Sequence, residues 1–158
     1  LDNPILKNAI KAKLPYTNKK YAAEYLVLNS ETYDRITFYY IKKDKKKIIL
    51  NIAGDKFYDN NIEECLETKK KLENELSNLF KNLKPISFQS HHQSDTSKKS
   101  MQYAFEFNFS EGHIIQVSCS DWKKHKDING KIQNYKDALR VSLSSGIFVD
   151  FINYEAWK

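Results

Sequence analysis

Glycine is scarce in this chain: four residues, at positions 54, 112, 130 and 146, are scattered through 158. A loop that cradles phosphate needs glycines close together, so that several backbone amides can approach one anion. Neither the P-loop nor the dinucleotide pattern occurs, and the spacing argues against both. With only Pro4, Pro15 and Pro85 besides, collagen-like and linker-dominated chains are excluded as well. Arginine is nearly missing, since Arg35 and Arg140 are the only two among 26 basic residues. Readers of bases and phosphates lean on the arginine fork for bidentate contacts, so a lysine-dominated basic balance argues against nucleic acid. No apolar run approaches the roughly 20 residues of a membrane-spanning helix. The single methionine is Met101 and the chain opens on Leu1, a start expected of a chain that was processed or cut artificially; removal of a signal peptide fits it but is not itself indicated.

What is present is a core. Hydrophobic residues make up 41% and aromatics 13%, enough apolar surface to offset the entropy of ordering one domain over residues 1–158. The formal charge of +6 is unevenly placed. Residues 1–58 hold 12 Lys or Arg against 6 Asp or Glu, whereas residues 59–158 hold 14 of each. The first third therefore carries the whole excess.

Periodicity divides the chain into elements. In "NPILKNAIKAKL", Ile5, Leu6, Ile10 and Leu14 predict a short N-terminal helix over 3–14, capped by Asn3 and ended by Pro15. Strands are predicted at 21–29, 35–41 and 47–53, the last two joined by "KKDKKK". Residues 61–83 place Ile62, Cys65, Leu66, Leu72, Leu76, Leu79, Phe80 and Leu83 on one stripe, which predicts a long helix stopped before Pro85. Asn60 or Asn61 can cap it, with Glu63 or Glu64 in a capping box. A strand follows at 85–90, then the polar loop 91–100. Met101, Tyr103, Phe105, Phe107 and Phe109 alternate with polar residues, the period of a half-buried antiparallel strand. It turns at 110–112 into a strand bearing Ile115, Val117 and Cys119. A loop at 123–135 and a final hairpin, turned at 144–146, complete the chain. The expected class is α+β: an antiparallel sheet of about seven strands, with the 61–83 helix across one face and the short N-terminal helix beside it.

Cys65 lies on the helix stripe and Cys119 on a strand face, so packing of one on the other would bring the sulfurs together. A disulfide there implies periplasm or the outside of the cell. The alternative is a pair of buried free thiols. A catalytic thiolate needs exposure and a nearby base, which neither position offers.

The polar residues form no recognised catalytic set. His91, His92, Asp95, His113 and His125 are residue types that bind zinc or copper, yet their spacing repeats no ligand pattern, and no metal or cofactor is expected. Lys42, Lys43, Lys45, Lys46 and Lys47 form a lysine-rich tip suited either to an acidic partner or anionic surface, or simply to solvation and guarding of strand ends. Asp121, Trp122, Lys123 and Lys124 lead into the 123–135 loop, where recognition is most expected. Trp157, Tyr154 and Tyr39 are further aromatics near strand ends, and Asp150 falls on a more polar face. These observations lead to a small exported, non-enzymatic domain that binds another macromolecule, a protein or an anionic surface, through loops 91–100 and 121–135 or a sheet face. One alternative is a carrier of a small apolar ligand, in a cavity lined by Phe105, Phe107, Ile115 and Leu76. Others are an enzyme using His113, Asp121 and His125, and a basic nucleic-acid binder.

Overall fold

The computed structural model describes residues 8–14, 16–28, 30–92, 95–126, 130–156 and 158. Among the described residues there are ten strands: β1 (Ile10–Ala12), β2 (Tyr21–Val27), β3 (Arg35–Ile41), β4 (Ile49–Tyr58), β5 (Ile86–His91), β6 (Met101–Asn108), β7 (Ile114–Asp121), β8 (His125–Lys126), β9 (Ile132–Gln133) and β10 (Asp137–Ser144). Helix α1 spans Ile62–Leu79, and α2 spans Gly146–Asp150, continued by a π-helical stretch at Phe151–Glu155. Eight strands form one sheet in the order β1-β2-β3-β4-β10-β7-β6-β5, and β8 and β9 form a small second sheet.

The α+β expectation is therefore corrected: the fold is mostly antiparallel sheet, with eight strands where about seven were expected. Three local competitions explain the difference. Ile10–Ala12 is a strand, because β2 offers it a ladder, pairing Ile10 with Tyr25 and Ala12 with Ala23. Tertiary pairing there overrides the helical spacing. The rest of that expected helix, residues 3–7, and its stop at Pro15 lie outside the described residues. Second, α1 ends at Leu79 rather than at 83. The residue before Pro85 is disfavoured in helical conformation, and the chain leaves through a turn in which Leu83 N–H donates to Phe80 O at 2.9 Å. Third, the segment after Gly146 is helical rather than the last strand of a hairpin. Ser145 caps it by accepting from Phe148 N–H at 3.3 Å. Phe148, Phe151 and Ile152 recur at helical spacing, and that pattern prevails over the alternation of Ile147, Val149 and Phe151. Asp150 accordingly closes a helix instead of sitting on a strand face.

Two compact units are distinguished by their internal contacts: residues 1–55, 109–115 and 142–158 form the first, and residues 56–108 and 116–141 the second.

In the first unit, β2 pairs with β3 from Tyr21↔Ile41 to Val27↔Arg35, and β3 with β4 past an irregularity at Tyr39/Tyr40. Its core is aromatic. Tyr21 packs on Phe148 and Phe151, with centroids 5.2 and 4.3 Å away, and Tyr39 and Tyr16 close around them. Gly54 is required because the Tyr33 ring lies on it; a Cβ there would stand 2.7 Å from the ring. Two carboxylates are buried with partners, as burial demands. Asp55 takes a 2.8 Å bond from Arg35 Nε, and Glu24 takes bonds from Tyr40 OH at 2.7 Å and Lys47 Nζ at 3.0 Å. Burial opposes ionisation of Glu24, but the bonds from Tyr40 and Lys47 outweigh it and hold the carboxyl below its ordinary range. Tyr40→Phe is accordingly expected to cost roughly 2 kcal/mol in denaturant unfolding, because a buried charged acceptor loses a donor. An unchanged midpoint would show that Lys47 alone suffices.

The second unit is built where the alternation of β6 meets α1. Phe105 and Phe107 are fully buried, and Phe80 leans on Phe107 with centroids 5.6 Å apart. Cys65 of α1 and Cys119 of β7 are joined in a disulfide, across a sequence separation of 54. Asn61 caps α1, accepting from Glu64 N–H at 3.2 Å, while its side-chain amide donates to the Glu64 carboxylate at 3.0 Å.

Candidate recognition site in the second unit

The site is assembled from two loops, and Asp95 organises the first of them. Its carboxylate, 2% exposed, accepts from Ser97 N–H at 2.8 Å, Ser97 Oγ at 2.7 Å, Lys99 N–H at 3.1 Å and Ser100 N–H at 2.7 Å. An aspartate followed by small hydroxyl residues folds the backbone onto its own side chain in this way. Burial works against the charge, but these donors prevail and hold the carboxyl well below its usual range.

Ser100 then joins the loops. It is fully buried, its carbonyl accepts from His92 N–H at 2.8 Å, and its Oγ accepts from Lys123 N–H at 3.0 Å. Thr96 Oγ1 donates to Lys126 O at 3.1 Å, a second tie. On the other side, buried Asp137 accepts from Trp122 N–H at 2.8 Å, and burial pushes the Asp137 carboxyl up. Consecutive backbone N–H groups, of Trp122 and Lys123, are thereby tied to Asp137 and Ser100.

Around its indole the side chains form an aromatic cluster. The His92 ring lies 3.9 Å from that of Trp122, the His125 ring stacks on it at 5.6 Å and 17°, and Tyr135 meets it edge-on at 4.9 Å. Burial, then the neighbouring His125, lower His92 to about 4 despite the opposing charge of Asp95, with Arg140 lowering it further. His92 is therefore neutral at pH 7. His125 is 5% exposed; its Nδ1–H donates to Lys123 O at 2.8 Å, and its buried Nε2 has no hydrogen-bond partner among the described residues. Tyr135 is 46% exposed, and Lys123, Lys124, Lys126 and Lys131 are exposed nearby in sequence. Asp121 binds Lys123 at 2.7 Å and Asp59 binds Lys136 at 2.6 Å. No family model, no curated protein and no solved structure matches this chain. Its function must be read from this geometry.

Of the residues singled out in the sequence, Asp121, Trp122, Lys123 and Lys124 stand together at this site. His92, Asp95 and His125 join them; Ser100, Tyr135 and Asp137 were not foreseen. His91 closes β5, exposed. Among the described residues no group of three or more His, Cys, Asp or Glu side chains is placed to hold a metal ion. Trp157 lies outside the described residues, as do positions 93, 94 and 127–129 within the two loops.

The remaining candidates belong to the first unit. Lys42, Lys43, Lys45 and Lys46 are exposed around Asp44, whose carboxylate accepts from Lys46 N–H at 2.9 Å and Ile48 N–H at 3.1 Å. These bonds hold the Asp44 carboxyl below its ordinary range. Lys47 is committed to Glu24, so the tip is an ordered turn that displays the other four lysines. His113 accepts from Gly146 N–H at Nδ1, 3.0 Å away, and its Nε2 lies 3.6 Å from Glu111. Tyr39 is taken up by the aromatic core, whereas Tyr154 is 65% exposed.

Proposed function

We propose that this chain is an exported, non-enzymatic domain that binds an acidic protein surface through the loops at 91–100 and 121–135. One observation carries the reading. Trp122 and Tyr135 meet in an aromatic contact whose sequence neighbours Lys124, Lys126 and Lys131 are exposed, with Trp122 N–H held by Asp137 and Lys123 N–H by Ser100. Preorganised aromatics supply contact area at low entropic cost, and flanking cations select acidic partners. The described side chains of the cluster are aromatic rings, with exposed ammonium groups near them in sequence, a combination that suits binding. Export is supported by the disulfide, a bond that persists in oxidising compartments. Among the described residues no helix is long and apolar enough to cross a membrane.

The test is a titration of tryptophan fluorescence with poly-L-glutamate, with phosphatidylglycerol vesicles as a second arm. Trp122→Ala is expected to weaken binding by roughly 2 kcal/mol, and Lys123→Glu with Lys124→Glu by at least about 10-fold. Response to vesicles but not to the polyanion would redirect the reading to a lipid surface. Equal binding by the variants would remove these loops from it, leaving Lys42, Lys43, Lys45 and Lys46 as the acidic contact.

A second reading, a carrier of a small apolar ligand, is favoured by a different place from the one expected. Phe105 and Phe107 are fully buried against each other, and Phe80 packs on Phe107. In the first unit, however, an open groove of about 550 Å³ is lined by Ile49, Ile52, Ile114, Ile115, Leu143 and His113. Its size lies in the range of ligand sites in general. Binding of a hydrophobic dye that Leu143→Lys abolishes would support this reading; unchanged dye binding would remove it.

A further inference from the structure

The two ends of the eight-stranded order are protected very differently. At one end β1 has three residues, with Lys11 in the middle. Short length and an edge lysine are how sheets avoid pairing with other chains. At the other end β5 runs six residues, ISFQSH, every one exposed and none of them Asp, Glu, Lys, Arg or Pro. Pro85 stands before the strand and interrupts none of its ladder.

The register shows what this edge offers. His91 pairs with Met101, and His92 N–H donates to Ser100 O, the next pair along. In an antiparallel ladder, bonded residues alternate, so Ile86, Phe88 and Ser90 turn their backbone groups toward β6. Ser87, Gln89 and His91 turn theirs away from the sheet, where no strand meets them among the described residues. Side chains alternate in step. Ser87 faces α1, with its Oγ 3.3 Å from Glu73, whereas Ile86 and Phe88 lie on the opposite face, 56% and 39% exposed.

We propose that β5 pairs with β5 of a second copy, antiparallel, about a two-fold axis at Gln89. Ser87 of each copy then exchanges backbone bonds with His91 of the other, and Gln89 with Gln89. On the α1 face polar residues meet polar residues. On the other face Phe88 lies beside Ser90 and diagonal to Phe88 of the copy, within reach for an aromatic contact. A copy is favoured over a foreign strand because β5 carries no charge that would repel itself or select an opposite partner. Since β5 leads directly into His92, the pair would hold two recognition sites on one particle, and two linked sites bind a repeated partner more tightly than one.

The experiment is sedimentation equilibrium of the full chain, disulfide intact, at concentrations up to about 1 mM. The mass is expected to rise from 18.6 kDa toward twice that value. Gln89→Lys sets two ammonium groups against each other at the axis. Gln89→Pro removes an outward N–H and leaves the bonds to β6 intact. Each is expected to raise the dissociation midpoint at least about 10-fold, with the circular dichroism unchanged. Amide exchange at Gln89 and His91 is expected to slow as wild-type concentration rises. A chain that stays at 18.6 kDa throughout overturns the proposal, and so does a dimer that both variants leave intact. Protection of those amides only when a different protein is added, the chain itself remaining single, assigns the edge to a foreign strand instead.

Discussion

Reducing the Cys65–Cys119 bond is expected to lower the stability of the fold by about 4 kcal/mol. The bond closes a loop across a separation of 54 residues, and the chain-entropy model for a loop of that length gives this magnitude. The consequence falls first on α1. Cys65 is the only residue of that helix that is fully buried; Leu66, Leu72 and Leu76 are half-buried, and Leu79 is 70% exposed. A helix with so little buried surface draws on its covalent tie as much as on its apolar stripe. Thermal unfolding with and without reductant should show a midpoint lower by roughly 10 °C on reduction. Amide exchange should show α1 opening before β6 and β7. A reduced chain with an unchanged midpoint, or with α1 as protected as before, would mean that the half-buried leucines suffice.

The bond was visible in the sequence because two independent periodicities pointed the same way. Helical spacing placed Cys65 on an apolar stripe, and strand alternation placed Cys119 inward beside Val117. Both patterns extend over enough residues to average out local noise. Where a segment was short, competing signals decided the outcome. At 10–12 three residues with mixed spacing became strand because β2 offered a ladder, which no local pattern encodes. At 146–155 both periods were present, and the deciding feature is Ser145, which caps the helix by accepting from Phe148 N–H three residues on. The candidate site was legible only as loops. Asp95 followed by Thr96 and Ser97 is a turn signature that local chemistry explains. The meeting of His92, Trp122, His125 and Tyr135 is another matter, since it follows from strand order bringing separate loops together, and sequence spacing carries no trace of that.

The same cluster makes the second unit sensitive to acid, in two stages. His92 titrates at about 4 in the folded chain against an ordinary value of 6.5, because burial, His125 and Arg140 disfavour its charge more than Asp95 favours it. An unfolded chain therefore takes up this proton first as pH falls. The contribution of this group is complete above pH 6.5, declines between 6.5 and about 4, and is lower by about 3 kcal/mol at the acid end of that interval. Asp95 acts in the next window. Its folded carboxyl is held below the ordinary 3.8, so its contribution is intact above that value and is lost only as pH falls further. Denaturant unfolding followed by tryptophan fluorescence should thus show a decline beginning near pH 6.5, a limb that His92→Gln removes. Asp95→Asn keeps the shape but weakens the donors' acceptor, so it should lower stability at neutral pH and flatten the strongly acid limb. If His92→Gln leaves the upper limb in place, the ring is not held neutral against Trp122, and the acid sensitivity of the chain arises elsewhere. If the limb disappears, the tight seating of Trp122 is what a proton on His92 disrupts, and partner binding through that indole should weaken over the same pH interval.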